Sequence, residues 1–113
     1  VNEDFALFQE EFKRWQKIFG LTGYQIYFKY EPLDSVFASI SINQGEMVAT
    51  VRLNSKIGKE DKPFKDIKRD AKHEAIHLLI GRLSQDARYR YSSEGELLEA
   101  TEELVNKLID LIP

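Results

Sequence analysis

Residues 73 to 77 read His73-Glu74-Ala75-Ile76-His77, two imidazoles four positions apart with a carboxylate next to the first. On an α-helix, at about 100° per residue, that spacing puts both histidines in one sector of the surface, where both rings can reach one metal ion. Glu74 projects to the side, where it can take a proton from a water held by the same ion. The chemistry this pattern points to is metal-assisted hydrolysis. These are the only two histidines of the chain, and it contains no cysteine, so any further ligand must be an oxygen donor and thiolate zinc sites are excluded.

A catalytic zinc takes three protein ligands and leaves one position for water, so the third is expected to be a carboxylate or, less favourably, Tyr89 or Tyr91. The last helical segment supplies candidates. With Thr101 at the centre of its apolar face, Glu99 and Glu103 point away, Glu102 lies at the flank, and Glu94 falls near the centre but in the first turn. Glu102 and Glu94 both stay open, with Glu102 preferred because a ligand inside a regular helix is held more accurately than one at its end.

The elements that must position these groups can be read from periodicity. Phe5, Phe8, Phe12, Trp15 and Phe19 recur at helical steps, predicting a first helix over about 3–19 that stops at Gly20. Between Tyr24 and Leu53 the period becomes two, predicting strands through Tyr24–Tyr30, Val36–Ile42 and Met47–Leu53, with a hairpin turn at Asn43-Gln44-Gly45-Glu46. Asp61 as cap with Pro63 in the first turn predicts a motif helix running to about Leu83. Ile67, Ala71, Ala75, Ile76, Leu78, Leu79, Ile80 and Leu83 make it apolar around most of its circumference. The remaining polar sector holds Asp70, His73, Glu74 and His77, with Gly81 one turn beyond. Ser93 with Glu96 has capping-box spacing, followed by the stripe Leu97, Leu98, Thr101, Leu104, Val105, Leu108 and Ile112 of a third helix. The expected fold class is α+β: an N-terminal helix, a small three-stranded antiparallel sheet, a buried motif helix and a C-terminal helix bearing the glutamate.

At 113 residues the chain has room for one core, so residues 1–113 are expected to form a single domain. Sixteen basic and nineteen acidic residues leave a net charge of −3, which gives no bulk attraction to nucleic acid. The longest apolar runs fall far short of the roughly 20 residues that cross a bilayer, so no membrane partner is expected. The chain opens with Asn2, Glu3 and Asp4 where a signal peptide would be basic, and a cytoplasmic location is the expectation.

A buried H-E-x-x-H helix followed by a helix that brings a glutamate resembles the gluzincin group of zinc metallopeptidases, in particular its minimal members, and the related SprT-like domains. The resemblance extends over the order helix, small sheet, motif helix, glutamate helix, and its specific part is the five-residue motif. It implies that His73, His77 and Glu102 bind Zn2+, that Glu74 is the general base, and that an edge strand holds the backbone of a protein or peptide substrate. Many gluzincins carry an aspartate four residues after the ligand glutamate, where this chain has Asn106; Asn106 and Asp70 are the expected supporting groups around the ligands. SprT-like domains often use a third histidine, which this chain lacks.

The substrate strand is expected to be Met47–Leu53, with Ala49 and Thr50 pairing to the peptide at its open edge. Tyr89, Tyr91, Arg88 and Arg90, between the motif helix and the glutamate helix, could donate to the substrate. A second reading comes from Lys56, Lys59, Lys62, Lys65, Lys68, Arg69 and Lys72, a basic segment that could contact nucleic acid although Glu60, Asp61, Asp66 and Asp70 dilute it. A third is an inactive metal-bound fold that serves as a binding module.

Overall fold

A computed structural model describes residues 2–57, 62, 65–88 and 93–113, apart from the side chains of Arg82, Asp86 and Arg88. Helix α1 spans Glu3–Ile18, opened by Asn2, whose side-chain oxygen accepts from the Phe5 amide at 3.0 Å. It closes as the expected glycine stop. Gly20 adopts a φ of +71°, and the amides of Gly20 and Leu21 return to the carbonyls of Lys17 and Gln16, satisfying groups the helix end leaves open. The aromatic stripe faces inward, with Phe8, Phe12 and Trp15 buried.

Three strands follow: β1 (Gln25–Glu31), β2 (Ala38–Asn43) and β3 (Val48–Asn54). β2 and β3 form the expected antiparallel hairpin, but β1 pairs parallel to β3 and the spatial order is β1-β3-β2. The sheet is therefore mixed, not wholly antiparallel. Alternation of apolar residues decides which face of a strand is buried and leaves its neighbour open. Here the connection after β1 carries the chain past the central position, and the hairpin then returns β3 into it. Asn54, buried at the end of β3, fastens that connection: it accepts from the Leu33 amide and donates to the carbonyls of Leu33 and Val36.

Ala49, Val51 and Leu53 of the central strand pack against α1 and against helix α2 (Ile67–Arg88) through Ile67, Ala71, Ala75 and Leu78. Asp66 caps α2, its carboxylate accepting from the Arg69 amide at 3.1 Å. The expected cap at Asp61 and Pro63 lies outside the described residues. Burial of α2 is less complete than its composition suggests, since Leu79 and Leu83 are 39% and 68% exposed.

Helix α3 (Glu94–Leu111) starts at the predicted capping box, Ser93 accepting from the Glu96 amide. It packs on α2 through a separate cluster of Ile76, Val105 and Ile109. Its C-terminal carbonyls, those of Ile109 and Ile112, accept from the ammonium of Lys72, which also stands 5.1 Å above the Trp15 ring. α1, α2 and α3 are thereby tied together at one cation.

Candidate metal centre

His73 and His77 stand on successive turns of α2 and face α3. Their Nε2 atoms are 3.2 Å apart. From α3, Glu102 reaches across the helix pair, placing Oε1 2.7 Å from His77 Nε2 and Oε2 3.4 Å from His73 Nε2. Among the described residues this is the His and carboxylate group able to hold a metal ion, with one donor atom from each residue inside a 4.8 Å span.

The donor set fits a small divalent ion. Zinc bound to nitrogen and oxygen at about 2.0 to 2.2 Å in a tetrahedron separates neighbouring donors by about 3.3 Å, and two of the three observed separations lie within a few tenths of an ångström of that value. Burial, and for His73 the facing His77, lowers both imidazole pKa values, while the Glu102 carboxylate pushes them back up. Neutral rings with ring nitrogens turned toward one point are the form in which histidine ligates a metal.

Glu74 is 6% exposed, and burial pushes its carboxyl up to about 8, with Glu102 and Asp70 adding repulsion. One turn earlier, Asp70 has a buried Oδ2 that meets no hydrogen-bond partner among the described residues, and burial followed by Asp66 raises its pKa to about 6 against the pull of Arg69.

A cavity of about 520 Å³ lies between α2, α3 and β2, with His73, Glu74, His77 and Gly81 on one wall and Ala38, Ile40, Ile42 and Gln44 on the other. Leu98 and Glu102 line it from α3. The structure thus brings Glu102, and not Glu94, to the two histidines; Glu94 is exposed in the first turn of α3. Asn106 is exposed one turn beyond Glu102. Tyr89, Arg90 and Tyr91 lie outside the described residues, and Arg88 ends α2.

Ala49 and Thr50 do not have the open edge expected of them. Their strand is central, Thr50 sitting between Tyr27 and Ser41, and Ala49 is 1% exposed. Among the described residues, the open edge beside the cavity belongs to β2. Because the Asn54 amide bonds the Phe37 carbonyl, residues 37, 39, 41 and 43 turn their backbone groups toward β3, and Ala38, Ile40 and Ile42 turn theirs outward. No spacing in the sequence distinguishes these two strands; their pairing does.

The basic segment is engaged within the fold at three of its seven residues. Lys65 pairs with Asp4 at 2.8 Å, Arg69 with Asp110 at 3.0 Å, and Lys72 with the end of α3, while Lys56, Lys62 and Lys68 are exposed and Lys59 lies outside the described residues. Among the described residues no helix is long and apolar enough to cross a membrane.

No protein-family model matches the chain, and no curated protein does. Among solved structures it is similar to the crystal structure of the metallopeptidase zymogen of Methanocaldococcus jannaschii jannalysin, with a TM-score of 0.42 and 19% identity over 89% of this chain and 96% of that one. An overlap of that size leaves the chemistry to be read from the chain's own residues.

Proposed function

We propose that this chain is a zinc-dependent metallopeptidase of the gluzincin type, in which residues 1–113 form one domain that hydrolyses peptide bonds in the cytoplasm. The observation that carries the reading is the convergence of His73, His77 and Glu102 beside a buried Glu74, at the wall of a cavity bordered by an open strand edge. His73 and His77 would hold the ion through Nε2 and Glu102 through a carboxylate oxygen. When bound, zinc supplies Lewis acidity, bringing the pKa of a coordinated water to about 7 and polarising a substrate carbonyl.

The remaining work falls to the chain's own groups. The outward backbone groups of Ala38, Ile40 and Ile42 can pair with an extended peptide, so that main-chain hydrogen bonds hold it while the two strands exclude water from one side. Glu74 accepts a proton on its carboxylate as the attacking water loses it, and returns that proton to the leaving amine. Burial suits it to this task, because a carboxyl poised near neutrality can both take and give a proton.

Digestion of casein by the zinc-loaded wild type and by Glu74→Gln tests the reading. Cleavage by the wild type and a loss of at least about a hundredfold in Glu74→Gln is expected. Equal, slow cleavage by both proteins would sink it and favour the binding module.

A further inference from the structure

Gln44 lies in the turn between β2 and β3, outside the His-Glu-His cluster, and yet it lines the same cavity. Its amide is held in one orientation. The Tyr24 hydroxyl donates to Gln44 Oε1 at 2.6 Å, which leaves Nε2 as the free end of the group, and among the described residues no acceptor meets it. Nε2 rests over Gly81, so close that a Cβ there would lie 2.7 Å from it and 3.0 Å from Ile42 Cδ1. The glycine is thus what admits the turn to the helix, and a half-buried donor at the rim of the cavity is the result.

Gly81 follows His77 by four residues, a displacement of about 6 Å along α2. An extended peptide advances about 3.4 Å per residue, so the Gln44 donor lies roughly two residues away from a bond held at the ligand cluster. The direction also follows. Ile42, near the C-terminal end of β2, and Gln44, in the turn just after it, are the residues that a Cβ at Gly81 would meet. A peptide added antiparallel to β2, the commoner pairing, therefore has its N-terminal side at Gln44.

We propose that Gln44 is a substrate-binding residue whose Nε2 donates to a backbone carbonyl of the peptide about two residues N-terminal to the cleaved bond, with Tyr24 as the residue that positions it. The assignment rests on the metallopeptidase reading above. It predicts a requirement for substrate length on one side of the cleavage point, set by a hydrogen bond and not by a side-chain pocket.

The experiment takes the shortest casein peptide cleaved by the wild type, mapped by mass spectrometry, and a copy trimmed to one residue before the cleaved bond. Affinities for both are measured by fluorescence anisotropy on zinc-loaded Glu74→Gln, which binds without turnover, and on the same protein carrying Gln44→Glu or Gln44→Leu. Gln44→Glu keeps the acceptor for Tyr24 and removes the donor; Gln44→Leu serves should the added charge unsettle the turn. The longer peptide should bind roughly fivefold to tenfold more tightly to Glu74→Gln, and that advantage should vanish in both double variants and shrink with Tyr24→Phe. An undiminished advantage in folded, zinc-retaining Gln44 variants would overturn the assignment and leave the peptidase reading intact. Absence of cleavage by the wild type would instead remove the metallopeptidase reading, and the role of Gln44 with it.

Discussion

Glu102 Oε1 stands 2.7 Å from His77 Nε2, a contact between two helices that also meet through the apolar cluster of Ile76, Val105 and Ile109, the Ser84–Thr101 hydroxyl pair, the Arg69–Asp110 ion pair and the Lys72 ammonium. The cluster of His73, His77 and Glu102 is therefore assembled by helix packing. α2 alone presents two nitrogens, and the register of α3 against it decides which carboxylate joins them.

Zinc should stabilise the folded chain through this set. An ion that binds the native state at a thousandfold excess over its Kd adds about 4 kcal/mol, which for a domain of this size raises Tm by upwards of about 10 °C. His77→Ala should abolish the shift and the stoichiometric zinc, and Glu102→Gln should reduce affinity at least about tenfold. Thermal scans with zinc and with chelator, alongside elemental analysis, measure both. An equal shift in His77→Ala would show that the ion binds elsewhere.

The contrast between the two helices marks what was legible before the structure. His73, Glu74 and His77 belong to one helix, and a spacing of four residues fixes their relative directions whatever surrounds them. Glu102 could be narrowed only to a choice with Glu94, since the rotation of α3 about α2 is set by Ile76, Val105 and Ile109 together. The strands show the same boundary. Alternation predicted a strand over Met47–Leu53, whose Ala49, Val51 and Leu53 are buried, yet whether that strand was central or marginal depended on the Asn54 clamp over residues 33–36, which no local pattern announces. Gln44 read as a turn residue; its place over Gly81 is a tertiary fact.

Lys72 should matter to stability more than a surface lysine does. Its ammonium serves two carbonyls at the end of α3, where the helix dipole also favours a cation. Lys72→Met keeps the aliphatic stem and leaves those carbonyls without the donor. The expected loss is about 1 to 3 kcal/mol, seen as a lower urea midpoint, accompanied by weaker zinc binding because α3 carries Glu102. Unchanged stability together with weaker, salt-dependent DNA binding would instead give this lysine to the nucleic-acid reading.

Asp70 should make the metal-free chain less stable at neutral than at mildly acidic pH. Its folded pKa is raised from 3.8 to about 6, chiefly by burial, so between those values the native state retains a proton that the unfolded chain has released. The penalty is fully present above pH 6 and fades as pH falls toward 4. Asp70→Asn should accordingly raise Tm at pH 7.5, and the gain over wild type should shrink at pH 4.5. Chelator-treated protein isolates this effect from zinc binding. A gain of equal size at both values would mean that the side chain acts by shape or hydrogen bonding, not by its charge.

Gly81→Ala separates stability from function at one position. In an ordinary helix interior the change is stabilising by about 0.5 to 1 kcal/mol, because glycine loses more backbone freedom on folding. Here the new methyl group would meet Gln44 Nε2 and Ile42 Cδ1 at 2.7 and 3.0 Å, both of them the far ends of side chains that can swing aside. The helix should therefore keep much of its gain, while the Gln44 amide leaves the cavity rim and loosens its bond to Tyr24. Tm should hold or rise by a few degrees as affinity for the longer casein peptide falls toward that of the trimmed one. A large drop in Tm would show that the β2 turn cannot yield, and the close approach at Gly81 would then be a packing requirement of the fold; unchanged affinity with unchanged Tm would show that the amide's position has no bearing on the substrate.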